Sequence, residues 1–294
     1  MRLISVHDQQ EERLGVAVGE RALPAITLMR RGPKTMAALL AGGDELLGAL
    51  REAVGRESDR IRTSGAPLDA LTLLAPVPRP GKVVAIGLNY HAHAAEQKVE
   101  PPKAPLIFAK FPSAVIGHGE TITWDPALTS QVDYEAELAV VIGRRARNVT
   151  EAEALEYVLG YTCANDVSAR DLQFGDRQWV RGKSLDTFGP LGPWVVTSDE
   201  IPDPQRLAIS ATVSGERLQE GTTADMIFSL AEIVAHCARA FTLEPGDVIL
   251  TGTPAGVGVW RDPQRFLRDG DEVVIEIEGI GRLANPCREA PAGA

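Results

Sequence analysis

The sequence predicts a mainly β protein, a rolled or barrel-like mixed sheet with peripheral helices, preceded by a small α+β unit. Three observations carry this. From residue 83 onward, short apolar runs rich in β-branched residues recur between Gly, Pro and Asp punctuation, with only a few helical patterns among them. A proline-rich run, Ala75-Pro-Val-Pro-Arg-Pro-Gly81, separates a short leading stretch from that series. The composition, 44% hydrophobic and 24% charged, is that of a folded globular chain. At ~150 residues per domain, the 294 residues correspond to roughly two domains.

In order along the chain, residues 2–6 and 14–18 read as short strands, and 36–53 carries helical spacing through Leu39, Leu40, Leu46, Leu47 and Leu50. These make a leading domain over 1–74, with 75–81 as its linker. Strands follow at 83–87, 106–110, 137–142, 161–164, 194–197, 207–213, 248–250 and 272–277, within a second domain over 82–289. Two helices interrupt them. One covers 151–157 and opens on a capping box, Thr150 with Glu153; the other covers 224–241. Residues 290–294 read as a frayed end.

Charge and composition exclude several classes. Thirty Lys+Arg against 40 Asp+Glu give a net charge of -10, which repels a phosphate backbone, so nucleic acid is not an expected partner. The longest apolar runs, 71–75 and 138–142, fall far short of the ~20 residues that span a bilayer. Residues 1–15 lack a signal-peptide pattern, which points to a cytoplasmic protein. Cys163, Cys237 and Cys287 are too scattered for a disulfide framework or a zinc site.

The chemistry concentrates in Val132-Asp-Tyr-Glu-Ala-Glu-Leu-Ala-Val-Val-Ile142. As one strand, this places Asp133, Glu135 and Glu137 on the face that continues into Ala139 and Val141. Two carboxylates brought to ~4 Å repel by roughly 4 kcal/mol at an effective dielectric of 20, and a divalent cation would relieve that. The alternative is an edge strand that wears acids against aggregation. Asp166, closing the run 161–166, is either a turn or cap residue or a third ligand. If the three converge, the donor set is all oxygen, which suits Mg²⁺ or Mn²⁺, Ca²⁺ less comfortably, and not Zn²⁺.

Glu135-Ala-Glu137, Asn165-Asp166-Val-Ser-Ala-Arg170-Asp-Leu-Gln173, Gly182-Lys183-Ser-Leu-Asp-Thr-Phe-Gly-Pro190 and Leu243-Glu-Pro-Gly-Asp-Val-Ile-Leu-Thr-Gly-Thr-Pro-Ala-Gly-Val257 stand in that order. Together they resemble the fumarylacetoacetate hydrolase superfamily over about residues 80 to 285. The resemblance implies that family's rolled mixed β-sheet, a homodimer, and Mg²⁺ or Mn²⁺ held by Glu135, Glu137 and Asp166. It also implies roles for other positions. His93 and Glu96, three apart on one helix face, are by themselves a surface pair; the resemblance makes them a dyad that activates water, with His91 as a rival. His236, inside a helical pattern, reads as structural. Lys183 and Gln173 are implied to stabilise an oxyanion. Arg170 either grips a substrate carboxylate or pairs with a neighbouring acid. The loop 251–258 lacks the lysine of a phosphate-binding loop, fits a backbone nest for a carboxylate, and brings Thr253 near the ligand by resemblance. Lys110, Phe111 and Ser113 fall where the family lines its pocket.

The leading expectation is a metal-dependent hydrolase that cleaves a carbon–carbon bond in a small 2-oxo or 1,3-dioxo acid. The alternative is a decarboxylase or isomerase of a related 2-oxo acid such as oxaloacetate. A non-catalytic binder of metal or dicarboxylates is a third.

Overall fold

The structure is a computed structural model that describes residues 1–8 and 11–290; from 291 on, the expected frayed end lies outside the described residues. A 12-stranded mixed sheet forms its middle. One half of the sheet orders the strands Gly189–Thr197, Val158–Asn165, Ala136–Ile142, Val248–Leu250, Val83–Gly87 and Leu106–Lys110. The other half continues from Gly189–Thr197 into Arg2–Asp8, Glu11–Val18, Arg21–Pro24 and Ala66–Pro67. The two ends of this path do not pair among the described residues, so the sheet is not closed into a barrel. A 5-stranded sheet packs on it, and the short strands Val132–Asp133 and Ser168–Ala169 form a separate ladder.

Ala136–Ile142 shows why the large sheet sits at the centre. Every residue in it is buried. Leu138 and Val140 join the core shared with Ile209, Val273 and Ile275 of the smaller sheet. Ala139 and Val141, pointing the opposite way, join Leu3, Leu14, Val16, Leu50 and Ile61 of the leading stretch. A strand covered on both faces reads as an unbroken apolar run, as this one does.

The two units expected on either side of the proline run share this sheet. Arg2 and Leu3 pair with Val196 and Val195. The Ser5 hydroxyl donates to Pro76 O at 2.9 Å. Two helical expectations change. Residues 36–53 do not form one helix: Met36–Ala41 ends at Gly42 and Gly43–Ser64 follows, because Gly43 adopts φ 58. The helix expected from 224 runs over Leu230–Ala240; Ser229 and Glu232 form a reciprocal capping box there, and 223–225 is a separate 3-10 turn. The Thr150 and Glu153 box is present as expected. Glu216–Thr222 and Gly281–Glu289 are strands that the apolar pattern did not announce. Among the described residues no helix is long and apolar enough to cross a membrane.

Candidate metal centre and active site

The acidic segment is not one continuous strand. Asp133 pairs with Ser168 in the short ladder, then the chain steps across at 134–135 and re-enters the large sheet, where Ala136 pairs with Asn165 and Glu137 with Ala164. Two bonds fix the crossing: Asp166 N–H donates to Glu135 O at 2.9 Å, and Glu135 N–H donates to Asn165 Oδ1 at 3.0 Å. The step brings carboxylate oxygens of Glu135, Glu137 and Asp166 within 4.8 Å of one another, all buried.

The same step sends Asp133 elsewhere, which corrects the expectation of three acids on one strand face. Asp133 accepts from Tyr134 N at 2.9 Å, Gly258 N at 2.7 Å, Val259 N at 3.0 Å and Arg170 Nε at 2.8 Å. It ties the glycine-rich loop to the acid segment. Gly258 has to be glycine, since a Cβ there would lie 2.0 Å from Arg265 O and 2.6 Å from Asp133 Oδ1.

Buried cations face these acids. Lys183 Nζ donates to Asp166 Oδ2 at 2.6 Å and to Glu135 Oε2 at 2.7 Å. Lys110 Nζ reaches Asp166 Oδ1 at 2.6 Å and Val167 O at 3.1 Å. Arg170 Nη2 lies 2.7 Å from Glu135 Oε1, and its Nη1 donates to Gln173 Oε1 at 3.0 Å. Glu137 makes no direct ion pair: among the described residues the only hydrogen bond to its carboxylate is from Gly252 N–H, at 2.7 Å.

Electrostatics follows this division. Burial would raise the Glu135 carboxyl, but Lys183 and Arg170 outweigh it and hold the group below the usual carboxylate range. For Glu137, burial and then the charges of Asp166 and Glu135 act together, and its pKa rises well above normal. Burial lowers Lys110, whereas Asp166 and Glu135 overcome burial to raise Lys183. The donor set fits a hard divalent ion: three carboxylates, no imidazole or thiolate, and one carboxylate with no direct ion pair among the described residues.

One pocket collects most of the expected site. His93, Glu135, Glu137, Gln173, Lys183 and Thr253 line it, together with Arg170. His93 is buried in the short helix His91–Glu96, and its Nδ1 lies 2.5 Å from Glu96 Oε1. His91 is exposed and does not line the pocket. Thr253 accepts from Gln219 Nε2 at 2.8 Å. Phe108 and Trp179, edge to face at 5.2 Å, form an apolar wall, and Phe174 and Trp260 stand half-exposed at the mouth. Five expected residues do not line it: Glu96, which backs His93, Asp166, which pairs with Lys183, the exposed Phe111, and Lys110 and Ser113. Lys110 sits behind Asp166 rather than on the pocket surface, and Ser113 is exposed and apart from it. His236 is on the helix Leu230–Ala240, away from this pocket.

Two residues at the site, Gln97 and Gln219, carry no expectation from the sequence, and Asp133 has a role other than the expected one. Gln97 contacts His93 Nε2 at 2.7 Å; its place four residues on, along the same helix face, is the signal that could have found it. Asp133 is the anchor of the loop. Gln219 Oε1 accepts from Ala136 N–H at 2.8 Å while its Nε2 serves Thr253 and Pro254 O, so one amide joins the acid segment to the loop.

Residues 82–288 match the family model described as fumarylacetoacetate (FAA) hydrolase, C-terminal. The chain belongs to the fumarylacetoacetate hydrolase family. Within that family it is 46% identical over 255 residues to a Bos taurus protein named oxaloacetate tautomerase FAHD2B, mitochondrial, covering 86% of this chain and 79% of the relative. Among solved structures it resembles the fumarylacetoacetate hydrolase of Exiguobacterium antarcticum, with TM-score 0.85, 36% identity, and coverage of 99% and 100% of the two chains. It also resembles a Sphingobium maleylpyruvate hydrolase in complex with manganese(II) and pyruvate, with TM-score 0.81, 30% identity, and coverage of 99% and 100%. Family membership carries the rolled, sheet-rich fold and an enzymatic character; the named relatives include hydrolase and tautomerase members.

Proposed function

We propose that the protein catalyses keto–enol proton transfer in a small 2-oxo acid of the oxaloacetate type, using a divalent metal held by Glu135, Glu137 and Asp166. The observation that carries this reading is one pocket in which the Glu96-backed ring of His93 meets Glu135, Glu137 and Lys183, with Asp166 bonded to Lys183. The 46% identity to a relative named oxaloacetate tautomerase supports it. Mg²⁺ or Mn²⁺, when bound, supplies Lewis-acid polarisation of a chelated carbonyl.

The chain's own groups do the rest. With Glu96 on Nδ1, the His93 ring keeps a lone pair at Nε2, which takes the proton from the carbon beside the carbonyl. Glu96 then stabilises the imidazolium that forms; the C–H electron pair becomes the C=C bond, and the same ring delivers the proton to the carbonyl oxygen to give the enol. Lys183, a buried point charge on the pocket, sits to stabilise negative charge developing on the carbonyl oxygen. Gln173 spends its carbonyl on Arg170, which leaves its amide N–H groups for the substrate. Arg170 serves Asp133, Glu135 and Gln173, so it orders the site instead of gripping a carboxylate. The wall of Phe108 and Trp179 limits water access to the enolate.

Hydrolysis of an acylpyruvate, the leading expectation from sequence, is the second reading. The likeness to a maleylpyruvate hydrolase favours it, and the same dyad would serve to activate water. Loss of the oxaloacetate enol absorbance, followed with and without Mg²⁺ or Mn²⁺ beside a panel of acylpyruvates, separates the two. Metal-dependent interconversion without net consumption is the expected result. Two acid products from acylpyruvates, with oxaloacetate untouched, would overturn the tautomerase reading in favour of hydrolysis; no turnover of either leaves only a binder.

A further inference from the structure

The imidazole of His93 is held from both sides. Its Nδ1 lies 2.5 Å from Glu96 Oε1, and its Nε2 lies 2.7 Å from the side-chain nitrogen of Gln97. An ionised carboxylate can only accept, so the ring proton belongs on Nδ1 and the lone pair on Nε2. The Gln97 amide N–H donates to that lone pair. It is the same lone pair that a proton-abstracting histidine must present to its substrate.

We propose that Gln97 is a positioning residue: its amide covers the Nε2 lone pair of His93 in the substrate-free protein and yields it when a 2-oxo acid enters the pocket. The inference rests on the reading of His93 as the base. Gln97 lines the same pocket as Glu135 and Glu137, so a ligand beside those acids meets its side chain. It is the C-cap of the helix His91–Glu96, its backbone N–H donates to His93 O at 3.3 Å, and Lys98 after it adopts φ 55. The backbone is therefore fixed while the half-buried side chain has a path to solvent.

Glu96 is fastened independently. Its Oε2 accepts from Gly256 N–H at 2.8 Å, so the Nδ1–H tautomer survives loss of the Gln97 amide. This separates a cover from a structural tie. Losing a tie would loosen the ring and lower kcat. Losing a cover enlarges the fraction of protein competent to bind and lowers KM.

The test uses the full chain with Mn²⁺ and oxaloacetate, comparing Gln97→Leu, Gln97→Glu and His93→Ala with the unsubstituted protein. Thermal midpoints and Mn²⁺ affinity control for folding and metal binding. For Gln97→Leu the effect should fall on KM, lowering it about fivefold, as expected when one neutral hydrogen bond of ~1 kcal/mol is no longer displaced. In Gln97→Glu a carboxylate at each ring nitrogen holds the imidazolium and removes the lone pair, so kcat should fall about a hundredfold with Mn²⁺ affinity unchanged. Imidazole nitrogen NMR gives a readout without turnover: the Nε2 resonance should move toward that of a free lone pair in Gln97→Leu. An unmoved resonance, a kcat loss without a KM change in Gln97→Leu, or undiminished kcat in Gln97→Glu would each overturn the proposal. Full activity in His93→Ala overturns the base assignment instead, whatever Gln97 does.

Discussion

At the scale of single residues, Lys183 and Glu137 divide the work of the acid cluster. Lys183 occupies oxygens of both Glu135 and Asp166, whereas Glu137 has a backbone N–H and no direct ion pair. A divalent ion held by these acids, as proposed, would compete with Lys183 and relieve Glu137. Lys183→Met removes that competitor and the repulsion between two cations, so Mn²⁺ should bind at least as tightly while turnover falls about a hundredfold or more, the scale of losing one oxyanion donor. Calorimetry with Mn²⁺ beside an oxaloacetate assay reads both; weaker metal binding would mean that Lys183 organises the ligands instead of opposing the ion. Glu137→Gln should do the reverse to binding, weakening Mn²⁺ because a neutral amide takes the place of one charged donor.

At the scale of elements, the loop after Val248–Leu250 depends on partners distant in sequence. Asp133 accepts two of its backbone N–H groups, and Gln219 bridges it to Ala136. Farther along, Asp271 takes both contacts of Arg265 Nη2 at 2.9 Å, Ser214 Oγ at 2.6 Å and Arg268 N at 2.8 Å. Burial would raise the Asp271 carboxyl, but the Arg265 and Ser214 bonds hold it below normal. A depressed carboxyl contributes stability above its unfolded pKa near ~3.9 and loses it as pH falls through the folded value. Asp271→Asn should therefore lower the urea midpoint at pH 7, at a cost of about 1–3 kcal/mol, with the difference from the unsubstituted protein shrinking below pH ~4. A difference that stays constant with pH would assign the cost to packing alone. These ties explain what the sequence hid. The acids of the centre stand out because buried like charges need an explanation, and the Thr150 box shows because capping has a fixed spacing. Gln97 and Gln219 do not stand out, since a polar residue carries no pattern until its distant partner is known, and Asp133 stands out only as a third acid on a face it does not share. Glu216–Thr222 escaped for a related reason: an edge strand with exposed charges has no apolar face to reveal it. The step at 134–135 escaped as well, because strict alternation assumes one uninterrupted strand.

At the scale of the whole molecule, the acid centre lies on a strand whose two faces belong to different cores. One core is shared with the 5-stranded sheet, the other with the leading stretch. Arg2–Asp8 extends the large sheet beside Gly189–Thr197, and Thr197 N–H donates to Met1 O at 2.9 Å. Removing residues 1–74 would expose Ala139, Val141, Val195 and Val248 on one face and leave the Gly189–Thr197 edge open to other chains. Burial of a Leu or Val side chain stabilises by about 1.5–3 kcal/mol, and the leading stretch contributes Leu3, Leu14, Val16, Leu50 and Ile61 to that face. That loss is of the same size as the ~5–15 kcal/mol that separates folded from unfolded domains. We therefore expect the proline-rich linker to be a connection in the chain and not a seam in stability. We expect the full protein to unfold in one transition, with near-UV circular dichroism and intrinsic fluorescence coincident in urea, and the fragment 75–294 to remain aggregated or unfolded. Two separated transitions, or a soluble fragment that still binds Mn²⁺, would show that the leading stretch is a dispensable domain and that the acid centre stands without the face it covers.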